Sequence, residues 1–190
     1  MISVIFDKEC QFYSQIAPRL NKELESVGET SLKIPKFYHS MTEPGKEIIY
    51  FEDLRRLGFS MFDRKKGLDR LHTNLVLREL GRLHASSLIL FHKNQLKGNA
   101  ILKHFPSLED ALFKMFPDES DSMNMNSIYS SSFSTAAEII DGIEGYEYAV
   151  KFLRSKMNSC KDIMMDMLKT EDNMKVLCHG DCWNNNFLFK

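Results

Sequence analysis

Apolar positions recur at helical spacing over residues 5–26, at Ile5, Phe6, Phe12, Tyr13, Ile16, Ala17, Leu20 and Leu24. Pro18 interrupts this stripe, and because proline has no N–H to donate, the pattern predicts a helix kinked or restarted there. Ser26-Val27-Gly28-Glu29-Thr30-Ser31 is loop chemistry, after which residues 34–39 and 47–51 read as strands around a Glu43-Pro44-Gly45-Lys46 turn. Glu52-Asp53-Leu54 leaves the second strand. The polar stretch 55–67 has no clear period and reads as a connector.

From Leu68 to about His92 the helical period is strongest, with Leu71, Leu75, Leu80, Leu83, Leu88 and Leu90 among its apolar positions. Residues 99–126 read as short helical pieces broken by Pro106 and Pro117, and Ser130-Ser131-Ser132 reads equally as a surface loop or a helix start. Two further helices are expected at 127–141 and 146–169, with Gly142 and Gly145 between them. Met157, Met164, Met165 and Met167 on the second suit filling of core gaps better than a binding surface. Val176-Leu177-Cys178 and Phe187-Leu188-Phe189 read as short strands forming a hairpin around a polar loop. No internal repeat is present.

Composition narrows the class. With 190 residues and 43% hydrophobic content the chain can bury a sizeable core, and 25 basic residues against 26 acidic ones create no field favouring nucleic acid or an anionic membrane. A small molecule is the expected partner. Cys10, Cys160, Cys178 and Cys182 are scattered, no secretory pattern precedes Phe6, and no apolar run reaches membrane-spanning length, so a cytoplasmic setting is expected.

The polar loop His179-Gly180-Asp181-Cys182-Trp183-Asn184-Asn185-Asn186 carries the strongest chemical signal. In kinase catalytic loops an Asp receives or orients the acceptor hydroxyl, and an Asn five residues later holds magnesium; Asp181 and Asn186 keep that interval. His179 suits shaping the loop more than proton exchange. An Asn-rich turn between strands is the plain structural alternative, since Asp and Asn favour turns by bonding to the backbone. A closed zinc site at Cys178, His179 and Cys182 lacks a fourth ligand, and as a nucleophile neither cysteine has a compelling partner beyond His179, so both are expected to be buried or half-buried thiols. Glu9 alone reads as a solvated helix carboxylate, and His84 as a core or interface histidine.

Four segments together carry a family resemblance: Phe6-x-x-Glu9-x-x-Phe12-Tyr13-x-x-Ile16-x-Pro18-x-Leu20; Glu52-Asp53-Leu54 with Gly58-Phe59, Asp63-Arg64 and Gly67-Leu68-Asp69; Leu75-Val76-Leu77 through Leu83-His84-Ala85-x-Ser87; and Val176-Leu177-x-His179-Gly180-Asp181-x-Trp183-x-Asn185-Asn186. In this order the chain resembles the ecdysteroid kinase-like group of the aminoglycoside phosphotransferase and choline kinase superfamily. The resemblance implies an α+β, mostly helical, bilobal protein-kinase-like fold, with residues 1–54 in a partial N-terminal lobe and 55–190 in a partial C-terminal lobe. It also implies ATP and Mg2+ as cofactors and transfer of a phosphoryl group to a small-molecule hydroxyl, an ecdysteroid or another lipophilic acceptor. On that reading Asp181 is the catalytic base and Asn186 a magnesium ligand. Glu9 is the helix partner of the phosphate-binding lysine, and Tyr50, Phe51, Glu52, Asp53 and Leu54 form the hinge that meets the adenine. The acceptor pocket is expected within residues 99–145.

The departures shape the expectation. The family's lysine lies ahead of the first helix and its second magnesium ligand, an Asp, follows the loop; neither has a counterpart in residues 1–190, and Lys8 sits beside Glu9 instead of facing it. Cys178 and Cys182 stand where Asn and Leu are expected. The chain is therefore expected to be a fragment truncated at both ends (a gene model, a splice product or a degenerate paralogue), inactive by itself and exposing apolar surface. The competing expectation is a non-catalytic binding module that keeps the kinase fold and uses its pocket for a small molecule or a protein.

Overall fold

The computed structural model describes residues 2–97, 99–108, 125–160, 162–163, 166 and 175–190. Pro18 sets the shape of the first element. Helix α1 (Ile2–Gln11) passes into one π-helical turn (Phe12–Ile16), in which the Ala17 N–H reaches back to the Phe12 carbonyl, and α2 (Ala17–Ser26) then begins with Pro18 in its first turn. The wider turn opens the helix where the proline can neither donate to the Ser14 carbonyl nor pack closely against it. The interruption expected at Pro18 is thus a local change of pitch.

Ile16, Leu20 and Leu24 fall four residues apart and are buried with Ala17 on one side of π turn and helix. They meet Leu83, Leu90 and Phe91 of α3 (Arg70–Lys93), and Leu32, Ile101 and Phe105 complete the core. Asp69 caps α3, accepting the His72 N–H at 2.9 Å. Arg82 of α3 binds Glu79 through Nη1 at 2.9 and 3.1 Å and holds the Thr30 carbonyl through Nη2; the Leu32 N–H donates to Asn21 Oδ1 at 2.8 Å. These bonds fasten the loop after α2 to both helices.

Strands β1 (Phe37–Met41) and β2 (Ile48–Phe51) pair antiparallel, with Ser40 opposite Ile49 and an irregularity between Phe37 and His39. The expected hairpin is present, its first strand starting three residues later than the pattern suggested. Tyr13 anchors it to the π turn, its ring 4.5 Å from Phe51 and stacked 6.5 Å from Phe37. Tyr38, Met41, Ile48 and Tyr50 remain exposed on the hairpin, as do Leu71, Leu75 and Leu77 on α3.

The connector 55–67 contains more order than its polarity suggested. Asp53 caps a 3-10 turn, Leu54–Leu57, which Gly58 ends at a φ of +88°, and β3 (Ser60–Met61) follows. Its partner is β4 (Leu188–Phe189), with Ser60 opposite Phe189 and Met61 opposite Leu188. The hairpin expected between 176–178 and 187–189 does not form: residues 176–178 are in no strand. Sequence proximity favoured that pairing, but His72 draws Phe189 and Phe62 into an aromatic group beside the α3 start, with ring centroids at 4.6 and 4.4 Å.

Helix α4 (Asn99–His104) and a 3-10 turn (Pro106–Leu108) bring Phe105 to within 6.2 Å of Phe91, ring to ring. Pro117 and the rest of 109–124 lie outside the described residues. Contacts divide the chain into two compact units, Met1–Glu109 with Asn173–Lys190, and Asp110–Asp172. The lobe boundary expected after residue 54 falls within the first unit.

The second unit contains α5 (Met125–Ile140) and α6 (Glu147–Lys156), which pack together around Ala137 and Val150. Ser130-Ser131-Ser132 lies inside α5, where Ser132 Oγ donates to the Ile128 carbonyl at 2.9 Å. Helix α6 ends at Lys156, where turn residues 157–159 interrupt the expected 146–169 helix before helical conformation returns at 160, 162–163 and 166; buried Cys160 donates to the Lys156 carbonyl at 3.1 Å across that break. Met157 is half-buried; Met164, Met165 and Met167 lie outside the described residues. Among the described residues the architecture is mostly helical with two small antiparallel sheets, compatible with the expected α+β class. Among the described residues no helix is long and apolar enough to cross a membrane.

Candidate active site

The loop from His179 to Asn186 is held at both ends. Ahead of it, the Leu177 N–H donates to Ser87 Oγ on α3 at 2.9 Å; beyond it, β4 pairs with β3. Between these anchors the chain reverses at Gly180, whose φ of +83° is a left-handed conformation that glycine adopts without penalty. The Asp181 N–H then donates to His179 Nδ1 at 3.3 Å, which requires that nitrogen to be unprotonated, and the Trp183 N–H donates to the Asp181 carbonyl at 3.2 Å. His179 thus contributes to the loop's shape.

A 3-10 turn at Asn184–Asn186 brings Asn186 back to Asp181. Asn186 Nδ2 donates to the Asp181 carbonyl at 2.7 Å and to its carboxylate Oδ2 at 2.8 Å. Both side chains face solvent. The five-residue interval therefore closes into one constellation, with carboxylate and amide on the same side of the loop. Within it, Asn185 Oδ1 is buried with no hydrogen-bond partner among the described residues.

The donor set fits a magnesium ion delivered with a nucleotide. With Nδ2 committed to Asp181, Oδ1 is the remaining polar atom of the Asn186 amide, and a neutral oxygen is a ligand that Mg2+ accepts. Among the described residues no group of three or more His, Cys, Asp and Glu could hold a metal. Phosphate oxygens and water would have to supply most of the shell, as is usual for magnesium at nucleotide sites.

Cys178 and Cys182 are exposed, which corrects the expectation of buried or half-buried thiols. Cys178 immediately precedes the loop and Cys182 lies within it, and residues 176–178 are in no strand that would cover them. Partial desolvation, then the nearby Asp181 charge, pushes the Cys182 thiol up, which disfavours the nucleophilic thiolate.

The other expected site residues lie apart from this loop in the chain. Glu9 is exposed on α1, one turn before Tyr13. Burial first, and the Glu9 charge second, push the Tyr13 phenol up to about 12. Neither β1 nor β2 contains a lysine, and Lys36, just before β1, places its ammonium 5.3 Å above the Tyr38 ring. In the expected hinge, Tyr50 is exposed and Phe51 is packed on Tyr13. The Glu52 N–H is committed to the Lys36 carbonyl at 2.9 Å, Asp53 accepts the Arg55 N–H at 3.1 Å, and Leu54 opens the 3-10 turn.

Of the expected acceptor region 99–145, the last residues border an open groove of about 550 Å³ in the second unit. Ile140, Ile143 and Val150 give it apolar walls, and Asp141, paired to Arg154 at 2.6 Å, a polar edge.

Ser87 ties the approach to the loop to α3, and Tyr13 ties the β1–β2 hairpin to the π turn; sequence reasoning assigned neither a role. A signal for Ser87 existed: Ser86-Ser87 interrupts an apolar helix stripe, where a polar pair implies either exposure or a buried partner. The partner itself, 90 positions away, is not encoded locally.

Comparison with known proteins gives the family. The model of the ecdysteroid kinase-like family matches residues 2–190. No curated protein and no solved structure matches the chain. The match covers every element described above, and the chain belongs to the ecdysteroid kinase-like family.

Proposed function

We propose that residues 1–190 carry the acceptor-orienting half of an ATP- and magnesium-dependent phosphotransferase acting on a hydroxyl of a small lipophilic molecule, an ecdysteroid or a similar alcohol. Family membership implies a kinase-like fold and small-molecule phosphotransferase chemistry. The observation that carries the reading is the Asn186–Asp181 contact at 2.8 Å, on a loop anchored to α3 and to β3.

Asp181 is the group that accepts a hydrogen bond from the acceptor hydroxyl and aligns it for in-line attack, a positioning effect more than a strong-base effect. Asn186 offers Oδ1 to magnesium while its Nδ2 fixes the Asp181 carboxylate. Bound magnesium neutralises charge on the nucleotide phosphates. Residues 50–54 meet the adenine through backbone atoms other than the committed Glu52 N–H. Residues 1–54 and 55–190 are assigned to the two lobes.

A second reading is supported by one observation, the open groove bordered by Ile140, Ile143 and Val150 with the Asp141–Arg154 pair at its edge. On this reading residues 1–190 act as a binding module for a small molecule or a protein and turn over little or no ATP.

The test measures magnesium-dependent ATP turnover and binding in the 190-residue chain and in Asp181→Asn. Turnover that disappears in the variant supports catalysis. Binding of MgATP or of a hydroxylated sterol without turnover supports the binding module, and a chain that binds neither overturns both readings.

A further inference from the structure

Ser87 uses both hydrogen-bonding capacities of its hydroxyl. Oγ donates to the His84 carbonyl at 2.8 Å, within α3, and accepts the Leu177 N–H at 2.9 Å. The residue is 0% exposed. Leu177 lies two residues before His179 and four before Asp181, and its side chain packs against the core cluster formed by α2 and α3. Because 176–178 belong to no strand, the Leu177 N–H lacks a sheet partner, and Ser87 supplies the acceptor in its place.

We propose that Ser87 is a positioning residue for the candidate catalytic loop: it sets the height and direction at which the chain leaves α3 toward Asp181, acting through the Leu177 backbone. The proposal deepens the reading given under Proposed function and rests on it for the loop's role. Apolar packing of Leu177 fixes depth but not rotation about the chain axis. A hydrogen bond with a defined direction fixes that rotation, and the rotation decides where the Gly180 reversal aims Asp181. The donation to His84 holds the Ser87 hydroxyl in one rotamer, so its lone pairs are already aimed at Leu177.

Ser86 provides an internal control. It too is 0% exposed, and its Oγ donates to the Leu83 carbonyl at 3.0 Å, an equivalent intrahelical bond, while among the described residues it makes no hydrogen bond to the loop. The experiment compares Ser87→Ala, Ser87→Cys and Ser86→Ala in the 190-residue chain. It measures amide hydrogen exchange over residues 176–183 and the response of Trp183 fluorescence to MgATP.

The expected result is exchange at Leu177 faster by about tenfold in Ser87→Ala, the equivalent of one net hydrogen bond, with an intermediate effect in Ser87→Cys, whose sulfur accepts weakly. Ser86→Ala leaves loop exchange unchanged. The MgATP midpoint read by Trp183 rises in the same order. Equal effects of Ser86→Ala and Ser87→Ala on loop exchange would overturn the proposal, since both would then report only packing of α3. A Trp183 signal that ignores MgATP in the unsubstituted chain would count against the proposed function, while the exchange contrast still decides the role of Ser87. If Ser87→Ala does not fold, Ser87→Cys against Ser86→Ala decides it.

Discussion

Asn186 Nδ2 donates to two oxygens of Asp181, the backbone carbonyl at 2.7 Å and the carboxylate at 2.8 Å. One amide thereby fixes both the fold of the loop and the orientation of the carboxylate it presents.

Asn186→Ala removes both bonds from a solvent-exposed loop, so the unfolding free energy should fall by only about 1 kcal/mol or less. Any MgATP response of Trp183 should vanish. Asn186→Asp behaves differently, because a second carboxylate then faces Asp181 across the former hydrogen bond. Like charges disfavour joint ionisation, so the loop should stay closed in acid, where the pair shares a proton, and open as both ionise. Trp183, 54% exposed and the single tryptophan of the chain, reports this as a pH-dependent emission shift absent from the unsubstituted protein.

Gly180 holds a φ of +83°, and among the described residues no atom beyond its two chain neighbours lies within 4 Å of where a Cβ would stand. The cost of Gly180→Ala is therefore conformational, about 1 kcal/mol. Gly180→Asn should cost less, since asparagine tolerates the left-handed region better. Urea unfolding followed by far-UV circular dichroism should order the stabilities as Gly, then Asn, then Ala. Crowding at this position would give the reverse order for the two variants.

The Tyr13 phenol, pushed up to about 12 by burial and by Glu9, makes stability depend on alkaline pH. The folded state holds this proton more tightly than the unfolded state, so the stabilising difference is complete below about pH 10. It is lost between about 10 and 12, a loss of roughly 2–3 kcal/mol. Ultraviolet titration should show one of the six tyrosines ionising late, and Tyr13→Phe should abolish that phase and flatten the stability profile between pH 10 and 12.

Leu20 is 0% exposed at the centre of the α2–α3 core. Leu20→Ala should cost about 2–5 kcal/mol, from lost burial and the cavity left behind. Chemical denaturation should show a lower midpoint, with the transition still cooperative.

The helices and the β1–β2 hairpin were legible because each announces itself locally. Ile16, Leu20 and Leu24 repeat at helical spacing, and Pro44-Gly45 marks the turn between strands. Boundaries were less legible: α6 breaks after Lys156 and helical conformation returns at 160, 162–163 and 166, an interruption that the continuing apolar pattern did not mark. Ser130-Ser131-Ser132 read ambiguously because serine propensity is weak, and packing of α5 on α6 decided for helix. In the candidate site, the Asp181–Asn186 interval was visible as spacing, whereas the exposure of Cys178 and Cys182 was not.

The sequence alone determined which residues can carry chemistry and in what order: Asp181, the asparagine five places on, the glycine that permits the reversal, and the family to which this combination belongs. Only the tertiary structure decided how they are held. Pairing of β4 with β3 rather than with 176–178, and the bond from Leu177 to Ser87, join residues more than 85 positions apart. Such partners are chosen by which buried N–H and which aromatic ring remain unsatisfied once the α2–α3 core has formed, a competition that no local pattern of apolar and polar residues records.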